Sequence, residues 1–342
     1  MNNFLLFSGQ DTQNGNFDYI IEQIDLDKPN EVLFWCVLEY EPSLSIPITE
    51  YLKLNNFCSK HNIIFYFMFA SNDLFFYEND KRFEHSHIRI LYWPTHLLHY
   101  TYNFLMNKFD TIGNVSNKFE KIFLNFNNRP HDHRCMTVDK LFENGLNNYG
   151  KISWNMLTKV YYNNDGYNFK NWNESIMKID DFNYLMGEVT DDLLKTDTFM
   201  SLVSESTHDI FFVTEKTFKS ILIGQIFYCI GSKGQNLKLK EFGFKLYDDL
   251  FDYAFDMKDS LEERVDGAIQ NIKNLIGKDL HELHSKVQHV IEFNKNRALE
   301  IVKDDPYIPV KLIEMFKSNP NKFYESHILN NRLKYTLYRQ LN

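Results

Sequence analysis

Two eight-residue apolar runs, Glu31–Leu38 (EVLFWCVL) and Ile63–Ala70 (IIFYFMFA), constrain this chain more than any other feature. They are short for helices and lack the in–out alternation of a strand with one wet face. They read as strands buried on both faces, the pattern of a parallel sheet with helices on either side. Between them, Ile48–His61 shows helical spacing at Ile48, Tyr51, Leu52 and Phe57. Strand, helix and strand in that order make a βαβ unit. His87–Trp93 (HIRILYW) adds a third strand, stopped by Pro94, and Met1–Asn30 reads as a short strand, a polar loop and a helix around Tyr19–Ile24.

A second α/β unit starts near Lys118. Lys121–Asn127 (KIFLNFN) is a strand, Asn128–His133 a polar loop, and Arg134–Asn144 a helix stopped by Gly145. Phe199–Val203 and Gln225–Ile230 are further strands, with a helix over Glu215–Ile223 closed by Gly224 between them. Helices follow at Leu261–Ile276 and Leu280–Val302. With 342 residues the chain fits two domains. The expected division is residues 1–115, residues 116–305, and a helical tail over 306–342 that returns to the first domain. The fold class is α/β, with two Rossmann-like parallel-sheet domains, and ligands in such sheets bind at the carboxyl ends of strands.

The net charge of −9 argues against broad, non-specific nucleic-acid binding, which needs a basic surface. The four cysteines have no CxxC spacing and read as reduced, buried thiols. No apolar stretch reaches 18 residues, and the N-terminus has neither a basic start nor a long apolar run, so the expectation is a cytoplasmic protein of a bacterium or an infected host cell, without a membrane span.

Chemistry concentrates in Ser204–Ser232, SESTHDIFFVTEKTFKSILIGQIFYCIGS. Thr214 is a natural N-cap, and Glu215 suits the positive end of the helix dipole, whereas Lys216 opposes it. Lys216 either extends into water at small cost, or it answers a bound anion, in which case free N–H groups, dipole and lysine form a phosphate site.

This segment resembles the donor-binding signature of the family-10 glycosyltransferases, the α1,3/4-fucosyltransferases. Glu205 matches the first acid of that signature, Val213-Thr214-Glu215-Lys216 matches its V-T-E-K at the right distance, and Gly231-Ser232 matches the closing G-S. Upstream, Asn125–Asn128 precede Arg134, with Leu141 seven residues on, as in the family's Asn-rich strand end and helix-opening arginine. The chain departs from the family at Ser206, which replaces an Asn, at Phe212, which replaces a Tyr, and at Phe227, which replaces a Pro. The likeness covers about residues 121–252.

The resemblance implies a GT-B architecture, two Rossmann-like domains facing a cleft, and an inverting transfer that needs neither metal nor cofactor. It implies that Arg134 and Lys216 contact the donor diphosphate and Glu215 its ribose or sugar. Glu205, Ser206, Thr214, Phe212 and Arg129 join them as donor-binding candidates. The donor by default is GDP-fucose, and the acceptor is a hydroxyl of a glycan or of a hydroxymethylated base in phage DNA. A carboxylate of the first domain must deprotonate that hydroxyl. Glu39 and Asp73, each following an apolar strand, lead the candidates, ahead of Glu41, Glu78 and Glu84. The alternative reading is a non-catalytic module of the same fold that binds a nucleotide or glycan. The oligomeric state is open.

Other motifs read as structure. Asp25-Leu26-Asp27 is a charged connector, not a metal-holding DxD. His281-Glu282-Leu283-His284 is a polar helix face with the wrong spacing for a zinc helix. His85 with His87, and His96 with His99, lack the further ligands of a metal site. Gly231–Gly234 is a turn or a small phosphate nest. Tyr161, Tyr162 and Tyr167 either pack an Asn-rich excursion or stack on a sugar.

Overall fold

A computed structural model describes residues 4–8, 11, 16–36, 46–69, 81–93, 118–127, 131–153, 170, 197–325 and 337–339. The chain divides into two compact units, Met1–His99 with Lys303–Asn342, and Tyr100–Val302. The expected breaks at 115 and 305 compare with observed ones at 99 and 302.

The first unit carries a four-stranded parallel sheet in chain order, β1 (Phe4–Ser8), β2 (Glu31–Cys36), β3 (Ile64–Phe69) and β4 (Ile88–Tyr92). Helices α1 (Asp18–Asp27) and α2 (Ile48–His61) connect the first three strands. Both stop at a residue in the left-handed conformation, Lys28 at φ 45° and Asn62 at φ 55°. Phe17, just ahead of α1, is the hub of the core. Its ring meets those of Phe34, Tyr51, Phe65 and Phe67 at centroid distances of 5.2–6.4 Å. Edge-to-face packing of this kind adds to the burial of large apolar surface that holds sheet and helices together.

The C-terminal segment packs on the same sheet. Helices α8 (Val310–Ser318) and α9 (Pro320–Glu325) bring Lys311 to Glu31, at 2.6 Å, and the Phe323 ring to Phe4, at 5.3 Å. Lys322 donates to the Phe4 carbonyl. Trp93 Nε1 donates to Asp305 Oδ2 at 3.0 Å, with both residues buried.

The second unit holds β5 (Lys121–Phe126), β6 (Gly150–Ser153), β7 (Thr198–Ser204) and β8 (Ile226–Ile230), all parallel, in the order β6-β5-β7-β8. Its helices are α3 (Asp132–Glu143), α4 (Glu215–Ile223), α5 (Gln235–Glu241), α6 (Leu261–Lys273) and α7 (Leu280–Asp304). Every residue of β7 and β8 is buried, as the apolar runs require. The order places β6 on one side of β5 and β7 on the other. The connections after β5 and after β7 therefore leave in opposite directions, which makes the carboxyl ends of these two strands the topological switch point of the sheet.

The expected helices at 134–144 and 261–276 begin two residues earlier and end three residues earlier, respectively, because His131 and Asn274 lie outside the helical turns. The rings of His281 and His284 pack on Phe119, at 5.1 and 5.2 Å. Asp25 and Asp27 are exposed at the end of α1. No helix among the described residues is long and apolar enough to cross a membrane.

Candidate functional site

The switch point is built from polar residues that a sheet interior otherwise avoids. The register between β5 and β7 runs from Lys121↔Thr198 to Leu124↔Ser201. Beyond it, the side-chain amide of Asn125 reaches across to the Leu202 carbonyl at 2.8 Å and to Ser204 Oγ at 3.3 Å. Asn127 donates to Asn125 Oδ1 at 2.5 Å, and its backbone N–H to Ser153 Oγ at 3.2 Å. Buried amides are thus spent on tying the strand ends together.

Helix α3 begins just after β5 and delivers His133 and Arg134. Both are buried, and both turn to one acceptor, the carbonyl of Glu205 at the end of β7. Arg134 donates to it through Nε at 3.2 Å and Nη2 at 2.9 Å, and His133 Nε2 lies 2.6 Å from it. A carbonyl oxygen can only accept, so Nε2 carries the proton. Burial, then the Arg134 charge and His208, hold His133 well below the ordinary histidine range, so its ring is neutral. Two buried acceptors, His133 Nδ1 and Asn127 Oδ1, make no hydrogen bond among the described residues. A neutral imidazole nitrogen and an amide oxygen accept from hydroxyls or water, and a site of this polarity has use for both.

Ten residues separate β7 from helix α4, which delivers Lys216. Thr214 is the N-cap, its hydroxyl accepting from the Lys216 backbone N–H at 3.4 Å, and Gly224 at φ 75° ends the helix. Lys216 Nζ lies 3.2 Å from both Ser206 Oγ and Thr214 Oγ1. Arg134 and Lys216, which come from two separate strand–helix units, therefore meet consecutive residues, 205 and 206.

The remaining candidates fall into place around this pair. Glu205 has no exposed surface. Its carboxylate accepts from the Thr214 N–H at 3.2 Å, the Thr214 hydroxyl at 2.6 Å and the Thr217 hydroxyl at 2.5 Å. Phe212 is buried, and its carbonyl accepts from Gln235 Nε2 at 2.9 Å, which moors the loop to α5. Glu215 is the first residue of α4. Arg129, Glu39 and Asp73, like Tyr161, Tyr162 and Tyr167, lie outside the described residues. The segment Gly231–Gly234 forms a turn. The N–H groups that open α5 just beyond it go to the buried Asp256 carboxylate, Asn236 at 2.9 Å and Leu237 at 3.0 Å, so an internal anion already sits there.

Sequence reasoning missed His133 and Thr217. Thr217 had no separate signal, because a threonine one turn into a helix is unremarkable. His133 stands next to Arg134 in a loop-to-helix junction, and two adjacent polar residues facing a sheet end were the only clue.

The chain matches no protein-family model and no curated protein. Among solved structures it is similar to T4 phage BGT in complex with its UDP-glucose substrate, at 11% identity and a TM-score of 0.38, covering 88% of this chain and 97% of the other. A second similar structure is the DNA modifying enzyme beta-glucosyltransferase in the presence and absence of uridine diphosphoglucose, at 12% identity and a TM-score of 0.41, with the same coverage. At such identity and score the likeness is loose, and the function of the site has to be read from its own residues.

Proposed function

We propose that this chain is a glycosyltransferase that takes a sugar from a nucleoside-diphosphate donor, held in its second unit at the carboxyl ends of β5 and β7. The observation that carries the reading is the meeting of Arg134 and Lys216 on residues 205 and 206, beside the opening turns of α3 and α4. When the bond from the anomeric carbon to the diphosphate breaks, negative charge grows on the leaving group. Two cations and two helix N-termini are what that charge needs, and they act most strongly where water is scarce. His133 Nδ1 and Asn127 Oδ1 supply acceptors suited to hydroxyls of a ribose or sugar.

The motif resemblance supplies the finer reading. The donor is GDP-fucose by default, and transfer is inverting and independent of metal. Glu215 contacts the ribose or sugar, and Arg129 adds a further cation. The acceptor is a hydroxyl on a glycan or on a hydroxymethylated base of phage DNA, deprotonated by Glu39 or Asp73.

The test is thermal stabilisation across GDP, UDP, ADP and CDP, followed by hydrolysis of the matching nucleotide sugars, GDP-fucose and UDP-glucose included. A ligand at 100 times its Kd stabilises by about 2.7 kcal/mol. One diphosphate should stabilise selectively, and Lys216→Ala and Arg134→Ala should each abolish most of the shift. Binding without turnover of any sugar nucleotide would favour the non-catalytic module. No stabilisation by any diphosphate, or shifts that survive both substitutions, would overturn the reading.

A further inference from the structure

The resemblance puts Glu205 among the donor contacts, but every polar group of this residue is already engaged inside the protein. Its N–H donates to the Ile230 carbonyl at 3.0 Å, across the end of the β7–β8 pair. Its carbonyl receives His133 and Arg134. Its carboxylate receives Thr214 and Thr217. We propose that Glu205 is a positioning residue that registers both cations of the diphosphate site, seating Arg134 on its carbonyl and Lys216, through the Thr214 hydroxyl, on its carboxylate. The proposal rests on the reading of this site as an anion site.

The link to Lys216 follows from proton counting. Thr214 has one hydroxyl proton, and a carboxylate 2.6 Å away can only accept it. With the proton committed to Glu205, the Thr214 oxygen presents only lone pairs to Lys216. It accepts from the ammonium at 3.2 Å and from the backbone N–H at 3.4 Å. The carboxylate thus orients a neutral hydroxyl so that its negative end faces the cation. It also places a negative charge under the first turn of α4, offsetting the conflict between Lys216 and the helix dipole without a ligand.

Glu205→Gln tests this without changing shape. The Thr214 backbone N–H can only donate, so the amide oxygen must face it, at 3.2 Å in the native protein. The amide NH2 then falls against the Thr214 hydroxyl and donates to it. The hydroxyl turns its proton away from residue 205, and the oxygen facing Lys216 is taken. Thr214→Val removes the same link from the other side, while Thr214→Ser keeps it.

The experiment measures the affinity of inorganic pyrophosphate by calorimetry and, without any ligand, the rate at which Lys216 is acylated, by peptide mass spectrometry. A hydrogen bond to a charged group sets the scale, so Glu205→Gln and Thr214→Val should each weaken pyrophosphate about tenfold. Thr214→Ser should stay within about twofold of the native protein, on the same scale. The double variant Glu205→Gln/Thr214→Val should also lose about tenfold rather than about a hundredfold, because both changes cut one link. Lys216 should be acylated faster in every weakened variant, because its amine loses the Thr214 contact while that to Ser206 stays. Native-like affinity and acylation in Glu205→Gln, or additive losses in the double variant, would overturn the proposal. If Glu205→Gln does not fold, as judged by circular dichroism, the contrast of Thr214→Val with Thr214→Ser decides it. If Lys216→Ala and Arg134→Ala leave pyrophosphate binding unchanged, the anion-site reading fails, while the acylation rates still decide whether Glu205 positions Lys216.

Discussion

Asp305 gives the first unit a pH dependence that a single substitution should remove. The residue sits just past α7 at φ 35°, is 1% exposed, and places Oδ2 3.0 Å from the indole N–H of Trp93. Burial pushes its carboxyl up from an ordinary 3.8 to about 7, against the opposing hydrogen bonds from Trp93 and the Tyr307 backbone. The folded pKa is the higher one. Below pH 3.8 both states hold the proton and the group contributes no difference. As the pH rises towards 7, the unfolded chain ionises while the folded one retains its proton, so stability falls and then levels off. Over the whole range the loss is about 4 kcal/mol, and between pH 5 and 8 it is about 2.7 kcal/mol. Asp305→Asn keeps an oxygen for Trp93, removes the titration, and places a residue that tolerates positive φ. Hydrogen exchange of peptides from β2 and β3, read by mass spectrometry with native and variant proteins compared at each pH, isolates this unit. The variant should gain about 2–3 kcal/mol on the native protein between pH 5 and pH 8. A difference between the two proteins that does not change with pH would refute the reasoning.

Two further outcomes follow from packing. Gly267 lies inside α6, where alanine ordinarily gains up to about 1 kcal/mol, but an added Cβ would lie 2.3 Å from the Phe255 Cβ. Gly267→Ala should therefore destabilise by roughly 1–3 kcal/mol in a urea melt, and a stabilised variant would contradict the packing. Burial pushes the thiols of Cys58 and Cys135 up to about 12, and that of Cys229 well above its ordinary value. At pH 8 an aromatic disulfide reagent should leave all three unmodified in the native protein and label them once urea unfolds it. Peptide mapping that finds native labelling at any of the three would show the thiol to be accessible.

The elements were legible because their patterns are local. The runs at 31–38 and 63–70 became β2 and β3, and the Thr214 cap and Gly224 stop bound α4 as read. The meeting of Arg134 and Lys216 came from a motif, which carries spatial information that periodicity lacks. Strand order was not legible. Whether β6 or β7 lies next to a given side of β5 depends on crossovers whose length and direction no local signal fixes, and it is this order that creates the switch point. Nor could spacing show that Glu205 faces inwards. An acid following a buried strand reads as a loop residue at the sheet's edge. It goes inside here because the Thr214 N–H and the hydroxyls of Thr214 and Thr217 wait for it, nine to twelve residues further on.

That inward carboxylate changes what Lys216 means. In the sequence alone, a lysine in the first turn of a helix opposes the dipole, and the conflict suggests a missing anion. In the folded chain the anion is Glu205, and the conflict is answered before any ligand arrives. Lys216 is therefore held near the helix start in the free protein and does not need ligand binding to order it. Arg134 is fixed from the opposite side by the same residue. A site whose cations are placed by a buried strand end meets growing negative charge without first reorganising, which is the condition under which electrostatic stabilisation lowers a barrier and not merely a dissociation constant. On the proposed reading, the same arrangement reconciles a net charge of −9 with a diphosphate ligand. Attraction depends on the few charges that face a ligand at close range, and the solvated acids elsewhere act through water and salt.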